Sequence, residues 1–185
     1  MKSLFAFCLF FLCGIAPLTA QKASPVKFLI GGAVELGGDR VGTVTTEENG
    51  LQLVRGAQGV SIATGVRLRF PSFERFMLDA TVGYKYWRTL TPDANVRLTR
   101  IPLHLTGHYW LNDNFRVGAG VLTNRNIRFS ADGLGEDGRF DPSYGMKLEL
   151  GWRNLALGYT RMYYNRPDDR ARCAGGIGLT YLTTF

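Results

Sequence analysis

The sequence predicts an all-β protein, an eight-stranded antiparallel up-and-down transmembrane β-barrel. Three observations lead to this fold class: apolar and polar residues alternate with a period of two, short connections alternate with long polar ones, and aromatic residues collect at the ends of the alternating segments. The 185 residues suffice for one domain. A mean hydropathy of −0.04 is compatible with membrane insertion, because a spanning strand shows lipid only with every second residue.

Residues 1–20 are predicted to be a cleaved signal peptide, which leaves 21–185 as the barrel domain. Lys2 precedes the apolar run LFAFCLFFL, and a Gly-Ile-Ala-Pro break leads to the small residue Ala20. The run is too short for a spanning helix, which needs about 20 apolar residues. The chain has 22 basic and 15 acidic residues, and loss of Lys2 lowers the net charge from +7 to +6.

Eight segments of the remaining chain are predicted to be strands. In chain order they are 26–38, 59–70, 76–88, 96–111, 115–123, 144–152, 155–164 and 174–185. Their apolar faces include Phe28, Ile30, Val34 and Leu36 in the first, Val60, Ile62, Val66, Leu68 and Phe70 in the second, Leu78, Ala80 and Val82 in the third, Ile101, Leu103 and Leu105 in the fourth, and Ile177 and Leu179 in the last. Connections 71–75, 111–114 and 153–154 are short, whereas 39–57, 89–96, 124–143 and 165–173 are long and polar. This layout is typical of outer-membrane barrels.

The polar faces of these strands are rich in glycine, which suits the crowded interior of a narrow barrel better than a water-facing surface. They also carry charges that we expect to form a salt-bridge network in the lumen, because charge in a narrow lumen must be paired or hydrated. The predicted network is Glu35, Arg67, Arg69, Asp79, Lys85, Arg116, Lys147 and Glu149. A narrow ion-conducting path is the alternative interpretation of the same charges.

Aromatic residues are predicted to form two girdles where the barrel meets the membrane interfaces. The first set lies near the short turns, and the second set lies toward the long loops. The first is Phe70, Phe76, Tyr109, Phe115, Trp152 and Phe185, and the second is Tyr84, Tyr86, Tyr144 and Tyr159.

Two other classes of protein remain alternatives. A secreted, soluble lipocalin-like barrel has the same strand pattern but turns its apolar face inward around an apolar ligand. A lipid A-modifying enzyme needs a Ser–His–acid group near the lipid boundary. His104 and His108 are the two histidines, they lie on one predicted strand about 13 Å apart, and they are expected to be structural. No cofactor, metal site or catalytic residue is predicted.

The stretch RIPLHLTGHYWLNDNFRVGAG at 100–120 combines an Ile-Pro-Leu strand, a tight turn and a Gly-Ala-Gly strand, and the chain ends on Phe185. In these features it resembles the small outer-membrane β-barrel domain proteins of Gram-negative bacteria, especially the Bacteroidota type. The resemblance implies an outer-membrane location. It also implies that the C-terminal strand, through Tyr181 and Phe185, is the signal recognised by the barrel-assembly machinery.

The expected partners are therefore outer-membrane lipid and lipopolysaccharide, with a possible envelope protein partner. In the last long loop, Arg161, Arg166, Arg170 and Arg172 could meet lipopolysaccharide phosphates, although an ordinary solvated loop explains them equally well. Nucleic acid is not an expected partner, because the arginines are scattered and an export signal is present. The expected function is structural, surface-interacting or part of envelope assembly.

Overall fold

The computed structural model describes residues 24–38, 40–46, 50–55, 57–88, 96–130, 137–164 and 172–185. The predicted signal peptide lies outside these ranges. Among the described residues, no helix is long and apolar enough to cross a membrane. The strands of this part of the chain are β1 (Val26–Gly37), β2 (Arg40–Thr46), β3 (Gly50–Arg55), β4 (Gly59–Phe70), β5 (Phe73–Arg88), β6 (Arg97–Trp110), β7 (Phe115–Ser130), β8 (Gly138–Phe140), β9 (Ser143–Trp152), β10 (Leu155–Tyr164) and β11 (Arg172–Thr184).

Eight of the described strands close into an antiparallel barrel. The order around the ring is β6, β5, β4, β1, β11, β10, β9 and β7, and β7 pairs with β6 to complete it. The predicted fold class is confirmed: all eight predicted segments form ring strands. The first and last ring strands are neighbours, with Ile30 opposite Thr183, and the backbone N–H of Phe185 donates to the carbonyl of Phe28 at 3.1 Å.

Two of the predicted long loops contain additional strand structure. The segment 39–57 carries β2 and β3, which pair with each other as a separate two-stranded ribbon. The segment 124–143 carries the continuation of β7 to Ser130 and the short β8, which pairs with it. The prediction of loop structure here was wrong because both additions stand beyond the ring, where no apolar belt imposes a strong alternation on the sequence.

The short turns gather at one end of the barrel, which we call the turn end, and the long connections lie at the loop end. Polar side chains support the turn-end connections: Oδ1 of Asn112 accepts hydrogen bonds from the backbone N–H groups of Asn114 and Phe115, both at 2.9 Å. Such side-chain capping allows a tight reversal without unsatisfied backbone donors. Trp152 and Leu155 face each other across the two-residue turn at 153–154.

Side chains alternate between the two faces of the barrel wall, most regularly in β9. In β9, every second residue from Ser143 to Gly151 is buried, and every second residue from Tyr144 to Trp152 is exposed. The exposed face is apolar: Leu148 and Leu150 are more than half exposed, as are Phe28, Ile62 and Ile177 on other strands. Polar and charged side chains fill the inside, so the barrel is inverted relative to a soluble protein.

Candidate functional site

The lumen holds a layered set of buried charges. Seven of the eight predicted network residues are buried: Glu35, Arg67, Asp79, Lys85, Arg116, Lys147 and Glu149. Arg69 is the exception and corrects the prediction: it is exposed at the turn end of β4, because the lumen-facing alternation no longer encloses side chains where the strand leaves the barrel.

The middle layer is built around Asp79. Its carboxylate accepts two hydrogen bonds from the guanidinium of Arg67, both at 2.7 Å, in the bidentate arrangement that gives Arg–carboxylate pairs their strength. Nε2 of His108 lies 3.1 Å from the same carboxylate, and Nδ1 of His108 lies 3.8 Å from Glu149. Lys147 completes the layer at 2.6 Å from Glu149. His108 therefore lies between two carboxylates, one on β5 and one on β9.

A second layer lies toward the loop end. Nζ of Lys85 pairs with Glu35 and also donates to the carbonyl of Ala57 at 2.7 Å. Arg100, which sequence reasoning missed, is 2% exposed and donates to the carbonyl of Gln58 at 2.7 Å. Its inward position on β6, two residues before Pro102, follows from the same alternation that placed the histidines, so the signal was present in the sequence.

Glycines make room for contacts between side chains on strands that are not neighbours. His108 reaches Glu149 across the intervening strand β7 at Gly118, which stands opposite both residues in the register. A Cβ at Gly118 would lie 2.6 Å from Nδ1 of His108, closer than real contacts allow. At Gly151 a Cβ would lie 2.6 Å from the guanidinium carbon of Arg116. Long polar side chains of the lumen therefore lie directly against the backbone at these glycines.

The lumen carries more positive than negative charge. Five buried cations face three buried carboxylates in the part of the chain that the structure describes. The two outermost arginines donate to backbone carbonyls: Arg100 to Gln58 near the loop end, and Arg116 to Arg153 at the turn end. Carbonyl dipoles at the two ends of the lumen thus help to hold the excess positive charge.

Both ends of the lumen are filled. At the turn end, the indole N–H of Trp110 donates to the sulfur of Met77 at 3.4 Å, and the guanidinium of Arg116 lies 5.5 Å from the Trp110 ring. At the loop end, Leu122, Met162 and Ala174 pack as a buried apolar cluster. Between them lie small cavities of about 40 and 20 Å³ that share His104 in their linings. Such volumes hold a few water molecules.

The predicted aromatic residues lie on the outer surface, with two adjustments. Phe76 stands opposite Tyr109, and Phe115 opposite Trp152, so the turn-end set forms cross-strand pairs. In the second set, Tyr86 is half-buried. Tyr159 lies opposite Leu148, midway along β9, and not level with Tyr144. The reason is that Tyr159 follows the first residue of β10, Leu155, by only four positions.

Tyr163 occupies the level predicted for Tyr159. It stands directly opposite Tyr144 and is 37% exposed. The remaining predicted girdle residues, Phe70, Tyr84 and Phe185, are exposed on the outer face. The aromatic rings of Phe70 and Phe76 lie 5.7 Å apart between centroids. The outer surface is thus apolar in the middle, with aromatic residues toward each end.

Comparison with solved structures identifies the architecture. Neisserial surface protein A matches with a TM-score of 0.54 and 14% sequence identity, over 89% of this chain and 100% of that one. The chain has the fold of outer-membrane β-barrels. Ail, the attachment invasion locus protein of Yersinia pestis, matches with a TM-score of 0.45 and 13% identity, over 85% of this chain and 97% of that one. No protein-family model and no curated protein matches the sequence.

Proposed function

We propose that this protein is an integral outer-membrane barrel of a Gram-negative cell envelope, with a structural or surface-interacting role. The observation that carries the proposal is the inversion of the barrel wall: large apolar side chains such as Ile62, Leu148 and Ile177 are more than half exposed, while ion pairs fill the inside. Exposing a continuous apolar surface to water would be unfavourable, whereas a bilayer accommodates it.

The filled lumen supports a role that does not depend on transport of solutes. Eight-stranded barrels have interiors that side chains nearly fill, and here both the apolar cluster of Leu122, Met162 and Ala174 and the Trp110–Met77 contact narrow the ends. The charged layers between them fix the ring strands to one another through contacts that cross strands. This arrangement favours a rigid scaffold that presents its loop end to the medium.

The geometry supports the two alternatives less well. A lipocalin-like barrel requires an apolar interior, but the interior contains Arg67, Asp79 and Lys147. A lipid-modifying enzyme requires its histidine at the lipid boundary, but His108 is 1% exposed inside the lumen and lies between two carboxylates. His104 likewise lies on the lumen face, among the residues that line the internal cavities.

The proposal includes three kinds of partner. Outer-membrane lipid surrounds the apolar belt, and lipopolysaccharide meets the loop end. The barrel-assembly machinery recognises the C-terminal strand, in which Tyr181 and Phe185 share the exposed face. The loop end, including the β2–β3 ribbon, is available to a further envelope protein.

Cell fractionation tests the proposal. The full-length chain, expressed in a Gram-negative host, should sediment with the outer membrane, resist extraction by high salt and carbonate, and enter solution only with detergent. In planar bilayers the purified protein should produce no stable conductance steps. Release by osmotic shock without detergent would contradict membrane insertion, and reproducible conductance would contradict the scaffold role while leaving insertion intact.

A further inference from the structure

The two-residue turn between β9 and β10 holds an arginine in a backbone conformation that favours smaller residues. Arg153 is the first residue of this turn and adopts a φ of 50°, in the left-handed region. Two-residue hairpin turns that need a positive φ at this position normally have glycine, asparagine or aspartate there. A larger side chain is strained in this region. Strain of this kind is found most often at functional sites, so the side chain of Arg153 is a candidate for a role beyond the turn itself.

Contacts with the neighbouring turn and strands hold Arg153 in place. Its backbone N–H donates to the carbonyl of Asn114 at 2.8 Å, and its Nε donates to Oδ1 of the same residue at 3.1 Å. The guanidinium of Arg116 donates to the carbonyl of Arg153. The guanidinium carbon of Arg153 lies 5.7 Å from the centre of the Trp152 ring, which is a cation–π contact. The side chain is therefore oriented before any ligand binds.

The outer donors of this guanidinium are available to a ligand. Arg153 is exposed, and its side-chain contacts use Nε and one face of the guanidinium plane, which leaves the two terminal nitrogens without a partner in the described part of the chain. The exposed carboxylates at the turn end, Glu74 and Asp113, form no ion pair with it there.

The undescribed residues provide no acidic group at this end of the barrel. Those that precede β1, residues 1–23, contain no aspartate or glutamate. The other undescribed residues fall between strand ends that meet at the loop end. The positive charge of Arg153 is therefore left for a group from outside the chain.

The guanidinium of Arg153 lies where the apolar belt ends. Trp152 and Phe115 stand opposite each other on the outer face, and both are about half exposed. Exposed aromatic residues at the end of an apolar belt mark the boundary between lipid hydrocarbon and headgroups. Because Arg153 stacks on Trp152, its guanidinium is at the depth of the lipid phosphates around the turn end.

We propose that Arg153, held by Asn114 and stacked on Trp152, binds the phosphate of an anionic phospholipid in the leaflet that surrounds the turn end. The inference rests on the proposed membrane location and adds the site and its ligand chemistry. A planar guanidinium binds phosphate through two parallel hydrogen bonds, and the two terminal nitrogens of Arg153 provide the donors. Trp152 and Phe115 contact the acyl chains next to the bound headgroup.

Titration of the folded, full-length protein in maltoside micelles, which contain no phosphate, tests the proposal. Native mass spectrometry counts the bound molecules of added phosphatidylglycerol, and diacylglycerol with the same acyl chains is the phosphate-free comparison. Arg153→Gln should bind phosphatidylglycerol about tenfold more weakly than the parent protein. The matched control, Arg75→Gln, removes another exposed arginine from the turn end and should bind like the parent. Diacylglycerol should bind all three proteins equally weakly.

A second variant keeps the test valid if R153Q folds poorly. Arg153→Gly removes the guanidinium and suits a φ of 50°, so it should fold like the parent in urea unfolding and bind phosphatidylglycerol as weakly as R153Q. A well-folded R153G protein that binds the lipid like the parent would overturn the proposal.

Three further outcomes would also overturn it: unchanged binding by R153Q, an equal loss in R75Q, or binding of diacylglycerol as tight as that of phosphatidylglycerol. Inorganic phosphate is a further arm, and if the parent binds it as tightly as the lipid, the site belongs to a soluble anion and the lipid assignment is wrong. Fractionation keeps the two proposals apart. An R153Q protein that reaches the outer membrane and binds phosphatidylglycerol normally rejects the lipid site and leaves the proposed function standing.

Discussion

At the scale of single residues, the buried charged side chains of the lumen stabilise the barrel only when each is paired with another. Asp79 is the clearest case, because its carboxylate receives the bidentate bonds from Arg67 and lies 3.1 Å from His108. Each of these side chains is almost fully buried. Removing one charge from such a group leaves the others desolvated and uncompensated, which is more costly than never having buried them.

We therefore expect Asp79→Asn to lower the free energy of unfolding by about 3–5 kcal/mol. Urea unfolding of the barrel in phosphatidylcholine vesicles, followed by tryptophan fluorescence, measures the change. The double variant R67M/D79L replaces the pair with apolar groups and should recover most of the loss. Equal instability of the single and double variants would show that packing, rather than an unpaired charge, accounts for the effect.

At the scale of elements, a bulge in β7, where its register with β6 shifts between Thr99 and Ile101, controls which way the strand extension faces. Asn126 has a positive φ, a conformation that asparagine tolerates better than most residues and that glycine adopts freely. The extension from Ile127 to Ser130 pairs with both β6 and β8. Its stability should therefore depend on whether the residue at 126 can adopt this conformation.

Asn126→Val should loosen this extension, because a β-branched residue is strained by roughly 1–2 kcal/mol in the left-handed region. Amide hydrogen exchange at 127–130 should accelerate by roughly tenfold, while exchange in the ring strands stays unchanged. Asn126→Gly is the matched control, since it preserves the backbone and should exchange like the parent. Equal acceleration in both variants would place the effect in the lost Asn126–Arg128 hydrogen bond.

The elements also show how much of the fold the sequence alone predicts. The ring strands were predictable because each presents an apolar residue at every second position to one continuous belt. The β2–β3 ribbon was not, since residues 40–55 have no such belt to match. In the lumen, alternation identified Lys85 and Glu35 as inward-facing, but not as a pair. They lie on β5 and β1 with β4 between them, and only the structure shows that the Lys85 side chain passes beside Gly59 to reach Glu35.

At the scale of the whole molecule, the barrel is a closed ring of hydrogen-bonded strands, and its lumen is filled by side chains. The Lys85–Glu35 ion pair joins β5 and β1, and His108 on β6 lies 3.8 Å from Glu149 on β9, so these contacts span strands that are not neighbours. The wall, the lumen glycines and the buried charges therefore form one mechanical unit, on which the loop end is presented.

β1 and β11 are neighbours in the ring. The two ends of the chain can therefore be joined and the chain opened at another turn without changing the order of strands around the ring. A circular permutant that links Phe185 to Ser24 through a few glycines and opens at the turn 71–72 would keep every ring pairing, because Phe28 and Phe185 are already hydrogen-bonded. It should refold in detergent like the parent, as judged by urea unfolding. Its last residue would be Pro71, next to Phe70, so Phe185 would no longer be terminal.

In cells, this permutant separates the role of the final strand as a member of the ring from its proposed role as the assembly signal. If the barrel-assembly machinery recognises Phe185 as a terminal group, the permutant should fold in detergent yet accumulate unassembled in the periplasm, and cell fractionation would detect it there. Efficient assembly in the outer membrane would instead show that a terminal strand ending in any aromatic residue, here Phe70, is enough. The shared hydrogen bonds of the first and last strands thus allow chain connectivity to be varied while the barrel itself stays the same.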